Sequence, residues 1–266
     1  MSVENAKNPE PGASPLKVWL EHEGKLLRLR LARPKANIVD AAMIAALQAA
    51  LTEHLSSPSL RGVLLDAEGP HFSFGASVEE HLPESCAQML QELHALIKQL
   101  LKSPVPVLVA VRGQCLGGGL EVVSAGHLIF AAPGAVLGQP EIKLAVFAPA
   151  GSCLLPERIG QAQADDLLFS GRSIDGEEAH RLGLVNEIAE DPEQAALAYF
   201  EKHLAPLSAS SLRLAVHASR ADAVERIVKK LDEVERLYLE DLMATHDAVE
   251  GLTAFIEKRS AKWEDR

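Results

Sequence analysis

Three consecutive glycines, Gly117 to Gly119, lie between an apolar run, Val107-Leu-Val-Ala-Val111, and a glutamate, Glu121. Glycine is the costliest residue to order, so three in succession at a helix start need a reason. One reason is a tight strand-to-helix crossing in which no side chain fits. The sharper one is an anion or oxyanion drawn to amides at a helix N-terminus. Two nucleotide-binding patterns fail on spacing. Gly113-Gln-Cys-Leu-Gly117 breaks the G-x-G-x-x-G fingerprint, and no Lys-Ser or Lys-Thr follows the glycines as a P-loop requires. The run therefore predicts a short helix, from about Gly118 to Ala125, opening on a site for negative charge.

The segments around this crossing alternate strand and helix. Lys17 to Leu31 reads as a hairpin: Val18, Leu20, Leu27, Leu29 and Leu31 alternate with polar partners, and Glu23-Gly24 supplies the turn. Asp40 is an N-cap for a helix through Ile44, Leu47 and Leu51. Gly62 to Ala67 and Val107 to Val111 are short buried strands. Between them Leu90, Leu93, Leu96, Ile97, Leu100 and Leu101 keep helical spacing until Pro104. Leu128 to Ala131 and Ala135 to Leu137 are further strands. The pattern predicts α/β layering from residue 16 to about 190. After Asp191-Pro192 only helices are expected, over 194–203, 211–220, 223–231, 233–244 and 247–261, with breaks at Pro206-Leu-Ser208 and Arg220-Ala-Asp222. This gives three regions: a disordered tail over 1–15, a core over 16–190, and a helical region over 191–266. The last either caps the chain or forms an oligomer surface.

Glu121 follows Gly118 by three residues, on the same helical face as that amide, among apolar neighbours. A carboxylate there faces a partly buried cavity, and burial raises its pKa toward a range useful for proton transfer. Glu141 ends the turn Gly138-Gln-Pro-Glu141. Two carboxylates and a glycine loop together supply a proton, a water and an oxyanion site. Ser73 to Ala76 is a small-residue loop that reads as an ordinary turn or as a second backbone donor. His71-Phe-Ser73-Phe-Gly75 lacks the first glycine of a nucleophile elbow, which argues against a serine hydrolase. The 10 histidines include no H-E-x-x-H pair, so no metal is expected. His127 is read as a structural hydrogen-bonding group.

Bulk properties exclude several classes. The 266-residue chain carries a net charge of −11, which argues against nucleic acid or anionic lipid as a partner. No stretch reaches the roughly 18 apolar residues of a membrane span. Cys86, Cys115 and Cys153 are odd in number and lack metal-ligand spacing, so a reducing cytoplasm is expected.

The motifs together resemble the crotonase superfamily, the enoyl-CoA hydratase/isomerase group, from about residue 16 to the C-terminus. The matching stretches are Arg33-Pro-Lys-Ala-Asn37, Phe72-Ser-Phe-Gly-Ala76, Leu116-Gly-Gly-Gly-Leu-Glu121, Gly138-Gln-Pro-Glu-Ile142, Phe169-Ser-Gly-Arg-Ser173, Ala179-His-Arg-Leu-Gly-Leu-Val185 and Ala254-Phe-Ile-Glu-Lys258. Four features depart from the common pattern and resemble a narrower branch that hydrates cyclic dienoyl-CoA thioesters. They are Phe74, Ser77 where aspartate is usual, Gly126-His127, and Phe147-Ala-Pro-Ala-Gly-Ser-Cys-Leu154.

The resemblance implies a spiral of ββα units followed by helices that assemble a homotrimer or dimer of trimers. It implies an acyl-CoA thioester substrate and no cofactor beyond the CoA within it. Ala76 and Gly118 match the oxyanion-hole amides, and Glu121 and Glu141 match the paired hydratase carboxylates. Lys35 and Ala36 match positions near the CoA phosphates and adenine. Phe255 and Lys258 match positions that reach a neighbouring subunit's CoA. Gly75 and Gly117 belong to the matched loops, and Phe74, Leu116 and Phe147 are expected to shape a flat apolar pocket. Rival readings are hydration of linear 2-enoyl-CoAs, silent binding of a CoA ester, and RNA binding, which the acidic charge disfavours.

Overall fold

The computed structural model describes residues 14–266. The expected tail over 1–15 lies, through residue 13, outside the described residues. In chain order the strands are β1 (Leu16–Glu21), β2 (Leu26–Leu31), β3 (Gly62–Ala67), β4 (Val107–Val111), β5 (Gln114–Leu116), β6 (Leu128–Ala131), β7 (Val136–Gly138), β8 (Ser173–Asp175) and β9 (Glu187–Ile188). The helices are α1 (Ala41–His54), α2 (Cys86–Leu101), α3 (Gly118–Ala125), α4 (Pro149–Ile159), α5 (Gln161–Ser170), α6 (Gly176–Arg181), α7 (Pro192–Tyr199), α8 (Ala209–Arg236) and α9 (His246–Ile256).

The strands make a six-stranded sheet in the order β1-β2-β3-β4-β6-β9 and a three-stranded sheet in the order β5-β7-β8. The hairpin pairs Leu16 with Leu31 and Glu21 with Leu26 antiparallel. From β2 onward the larger sheet is parallel. A parallel sheet needs cover on both faces, and its strands read as unbroken apolar runs. Leu27, Leu29, Val63, Leu65, Val107 and Val109 face the main core with α1 and α2. The alternate residues Leu26, Leu64, Leu108 and Phe130 pack against Ala196 of α7 and Phe200 just beyond it. Asp40 caps α1 as its sequence position implied, accepting from Met43 N at 3.0 Å.

Two expectations change. The alternation in β2 puts its arginines on the face opposite Leu27 and Leu29, yet Arg28 is only 2% exposed. It donates to Asp66 Oδ2 at 2.6 Å and Glu193 Oε1 at 2.7 Å, while Arg30 holds Asp66 Oδ1 at 2.6 Å. The Trp19 ring lies 4.9 Å and 5.3 Å from the two guanidinium carbons. Glu193 of α7 thus closes an ionic layer over a face that sequence alternation alone leaves open.

The second change concerns the C-terminal helices. The predicted break at Arg220-Ala-Asp222 is absent, and α8 runs unbroken for 28 residues. Ala221 and Ala223 are strong helix formers and no glycine or proline intervenes, so a lone aspartate does not stop the helix. The break before α8 is real: Ser208 caps it, its Oγ accepting from Ser211 N at 3.5 Å. The predicted 233–244 helix is divided, with α8 reaching Arg236, a wide turn over Leu237–Asp241 and a 3₁₀ turn over Leu242–Ala244. The last helix ends at Ile256, short of the expected Ala261.

Removing Asp66 takes the shared buried carboxylate from two guanidinium groups, one of them buried, and leaves Glu193 between them. Asp66→Ala should lower unfolding free energy by about 3 kcal/mol or more. Urea denaturation at neutral pH reads this, and a loss under about 1 kcal/mol would mean the pairs behave as solvated surface ions.

Candidate active site

The site begins where two loops run side by side. Ser73 N donates to Gln114 O at 3.0 Å, and Leu116 N donates to Ser73 O at 3.0 Å. Gly75 and Gly117 then take φ of +109° and +51°, a region that side chains rarely enter. The loops also approach too closely for side chains. A Cβ on Gly75 would lie 3.1 Å from Leu116 O, and one on Gly118 would lie 3.1 Å from Ala76 N. This packing brings the Ala76 and Gly118 amides together at the first turn of α3. Neither N–H has a protein acceptor among the described residues. The positive end of the α3 dipole adds to the pull of the Gly118 donor on negative charge.

Both glutamates meet at this point. Glu121 projects from α3, is 3% exposed, and accepts from Gly151 N of α4 at 2.7 Å through Oε1. Glu141 opens a 3₁₀ turn, Glu141–Leu144. Its Oε1 would lie 2.8 Å from a Cβ on Gly117, which places the carboxyl against the glycine loop. Gln139 is 1% exposed. With its amide nitrogen turned inward it donates to Glu141 Oε1 at 3.0 Å and to Gly117 O at 3.3 Å. A cavity of about 830 Å³ is lined by Glu121, Glu141, Gly75, Ala76, Gly117 and Gly118 together.

The other candidates fall into two groups. Phe74, Leu116 and Phe147 line the same cavity, with Phe74 43% exposed at its mouth. Phe255 and Lys258 line it too, brought there by α9 and the turn after it. Within the chain they border its own cavity, because α9 packs over Glu141–Leu144. Lys35 and Ala36 do not line the cavity. Lys35 is exposed, and Ala36 O accepts from Phe74 N at 2.9 Å, so this loop braces the cavity wall from outside.

The two carboxyls are electrostatically unequal. Burial pushes Glu141 up to about 8, and the charge of Glu121 adds to the shift. Burial also raises Glu121, but the Gly151 N–H, the charge of His94 and the Ala150 N–H all work the other way. Two close carboxylates in a low-dielectric cavity hold one proton between them. The amide donors at Glu121 favour its ionised form, and the Gln139 amide is the donor that Glu141 meets.

Sequence reasoning missed the layer behind the pair. His94 of α2 is 1% exposed, and its Nδ1 lies 2.5 Å from Glu235 Oε2 of α8. Its only signal is a histidine on the apolar face that carries Leu90, Leu93 and Ile97. Tyr238 is fully buried and stacks edge-on against Phe147 at 5.1 Å. Burial first, then the nearby Cys86, Glu141 and Glu121, hold its hydroxyl protonated well above the usual range. Ser73 is a loop brace, its Oγ accepting from Gly75 N at 3.0 Å. His127 makes the expected structural hydrogen bond, accepting from Val107 N at 3.1 Å.

This arrangement can polarise a carbonyl, hold a water and supply a proton. Comparison with known proteins agrees. The profile of the enoyl-CoA hydratase/isomerase family matches residues 21–266, and the chain belongs to that family. It is 72% identical over 254 residues to the cyclohexa-1,5-dienecarbonyl-CoA hydratase of Thauera aromatica, covering 96% of this chain and 98% of that protein. It is 30% identical over 247 residues to a probable enoyl-CoA hydratase of Bacillus subtilis, covering 88% and 93% respectively. Among solved structures, an enoyl-CoA hydratase/isomerase from Pseudoalteromonas atlantica superposes with a TM-score of 0.80 at 27% identity, covering 94% of this chain and 99% of that one. The fold is crotonase-like, with a helical C-terminal region.

The raised pKa of Glu141 links stability to pH. Between the ordinary 4.5 and about 8 the folded chain keeps a proton that the unfolded chain releases. The stabilisation is complete below the lower value and is lost as pH rises toward the upper one. Wild-type stability in urea should therefore fall across this window, and Glu141→Gln should flatten the slope. Equal slopes in the two proteins would mean the proton sits elsewhere.

Proposed function

We propose that this protein hydrates cyclohexa-1,5-diene-1-carbonyl-CoA to 6-hydroxycyclohex-1-ene-1-carbonyl-CoA, a step in anaerobic benzoyl-CoA degradation. The observation that carries the reading is the pair Glu121 and Glu141 in one cavity beside the Ala76 and Gly118 amides. The Thauera aromatica relative, 72% identical, supports a cyclic dienoyl group as the acyl part.

The thioester oxygen sits between the Ala76 and Gly118 N–H groups. These donors strengthen as negative charge develops, and removing one such donor typically costs about 10²–10³ in rate. Ionised Glu121 orients a water and takes its proton. The water oxygen bonds to a ring carbon conjugated with the thioester, and the displaced π pair moves to the thioester oxygen. The resulting enolate collapses and takes the proton of Glu141 onto the ring. One water is added and one C=C bond is lost. Glu121 ends protonated and Glu141 ionised, and proton exchange with solvent resets the pair.

Phe74, Leu116 and Phe147 supply apolar walls for the ring. Phe255 and Lys258 close the outer end of the cavity over the CoA arm, and Lys35 and Ala36 flank it. The chemistry uses the chain's own amides and carboxylates, with CoA as part of the substrate. The reading includes a homotrimer or dimer of trimers assembled through the helical region, where Leu214 of α8 is 70% exposed. It also includes a cytoplasmic location, consistent with Cys86, Cys115 and Cys153 being free thiols. Among the described residues no helix is long and apolar enough to cross a membrane.

Glu121→Gln and Glu141→Gln should each slow turnover by about 10² or more while leaving CoA-ester binding intact. Mass spectrometry of products from cyclic dienoyl-CoA and crotonyl-CoA, assayed side by side, tests the substrate. Preference for crotonyl-CoA would move the assignment to linear enoyl-CoA hydration. Because Glu141 acts protonated, wild-type turnover should fall as pH rises through about 8. His94→Gln removes a positive charge that favours ionised Glu121, so the acidic limb of the same profile should move to higher pH. An unmoved limb would remove His94 from the electrostatics of the pair.

A further inference from the structure

A second polar cluster lies at the far end of α3 from the oxyanion amides. Arg158, on the last turn of α4, donates from Nε to Ser124 O at 2.6 Å and from Nη2 to Gly126 O. It therefore caps the C-terminal carbonyls of α3. Arg220 of α8 also borders this place, yet no hydrogen-bond or ion-pair partner is found for it among the described residues, and its Nε is buried. Ser124 is 1% exposed with an unpartnered hydroxyl. The Nδ1 of His127 accepts from Val107 N, so Nε2 carries the ring hydrogen, and it too is buried without an acceptor.

Of the eight buried side-chain polar atoms without a partner among the described residues, these are three. Each can donate a hydrogen bond. Native proteins leave few such atoms unsatisfied, and two of these, on Arg220 and Ser124, border one cavity and call for an acceptor. No carboxylate answers them. Glu157 lines the same cavity but is held by Arg226, with an Oε2 to Nη2 distance of 2.9 Å. The cavity has a volume of about 260 Å³ and is bounded by Ser124, Arg158 and Arg220 with apolar Leu101, Leu154 and Ile227. Charge points the same way. Arg158 is pulled down to about 10, first by burial and then by the charge of Arg220. Burial, then Arg220 and Arg158, drive His127 to about 3 and keep it a neutral donor. Two cations face each other here in a chain whose net charge is −11.

We propose that this cavity binds a small inorganic oxyanion of the phosphate class, held by Arg220 and Arg158 with Ser124 as a further donor. The site is separate from the hydratase cavity and shares none of its lining residues. The same acceptor chemistry could come from a carboxylate of a second copy of the chain, and the experiment separates the two sources.

The test is thermal unfolding of the full-length protein with inorganic phosphate, at fixed ionic strength, for wild type, Arg220→Gln and Arg220→Lys. Wild type should show a saturable rise in Tm of roughly 5 °C at concentrations far above Kd. Arg220→Gln should lose that rise, and Arg220→Lys should keep part of it. Without phosphate, Arg220→Gln should be at least as stable as wild type, since it removes an unpaired buried cation, and its hydratase turnover should be unchanged. Phosphate also stabilises proteins generally by exclusion from their surface, so the difference between wild type and variant is the readout. Equal phosphate responses in wild type and Arg220→Gln would overturn the proposal. So would a smaller assembled mass for Arg220→Gln with no phosphate response in wild type, which would assign the cluster to a partner carboxylate.

Discussion

The close approach of two loops carries the rest of this structure. Segment 73–76 lies against segment 114–118, tied by the Ser73–Cys115 bridge and sealed by backbone contacts that exclude side chains at Gly75 and Gly118. Without that approach the Ala76 and Gly118 amides would not converge, and α3 would not aim its N-terminus at the same point. The sheet makes it possible. Buried strands β3 and β4 fix where each loop leaves the core, and α3 takes a fully buried path with no side chain at its start. Three glycines cost backbone entropy, and the site they create is the compensation.

The second level is charge. Two carboxyls share a cavity that penalises charge, so one of them keeps its proton. Which one is decided by neighbours rather than by the glutamates themselves. Gly151 and Ala150 amides and the imidazole of His94 gather around Glu121, whereas Glu141 meets the Gln139 amide and the field of its partner. On the proposed reading, the division into base and acid is built by α2, α4 and the Gly138–Glu141 turn. Those elements also seat Phe147 against Tyr238, so the apolar wall and the proton chemistry have common supports.

Much of this was legible in the residues. The strands Gly62–Ala67 and Val107–Val111 and the helix Gly118–Ala125 stand where apolar runs and glycines placed them. Glu121 and Glu141 were legible because an acid beside a glycine loop has few structural uses. What escaped reading was non-local. Arg28 is buried only because Glu193 arrives from far along the chain. The two- and three-residue strands β5, β8 and β9 are too short for any period to show. His94 looks like a core histidine until α8 brings Glu235 to it. The expected break at Arg220-Ala-Asp222 has no glycine or proline to make it, and α8 runs through it. The placement of Phe255 and Lys258 depended on where α9 folds, which no local pattern states.

A crystal structure of the protein with the hydroxylated cyclic acyl-CoA product tests the account most directly. The account predicts the thioester oxygen at about 3 Å from both the Ala76 and Gly118 nitrogens, with the new hydroxyl within hydrogen-bonding reach of Glu121. A thioester oxygen bound away from those two amides, or a ring lying outside the space between Glu121 and Glu141, would contradict it.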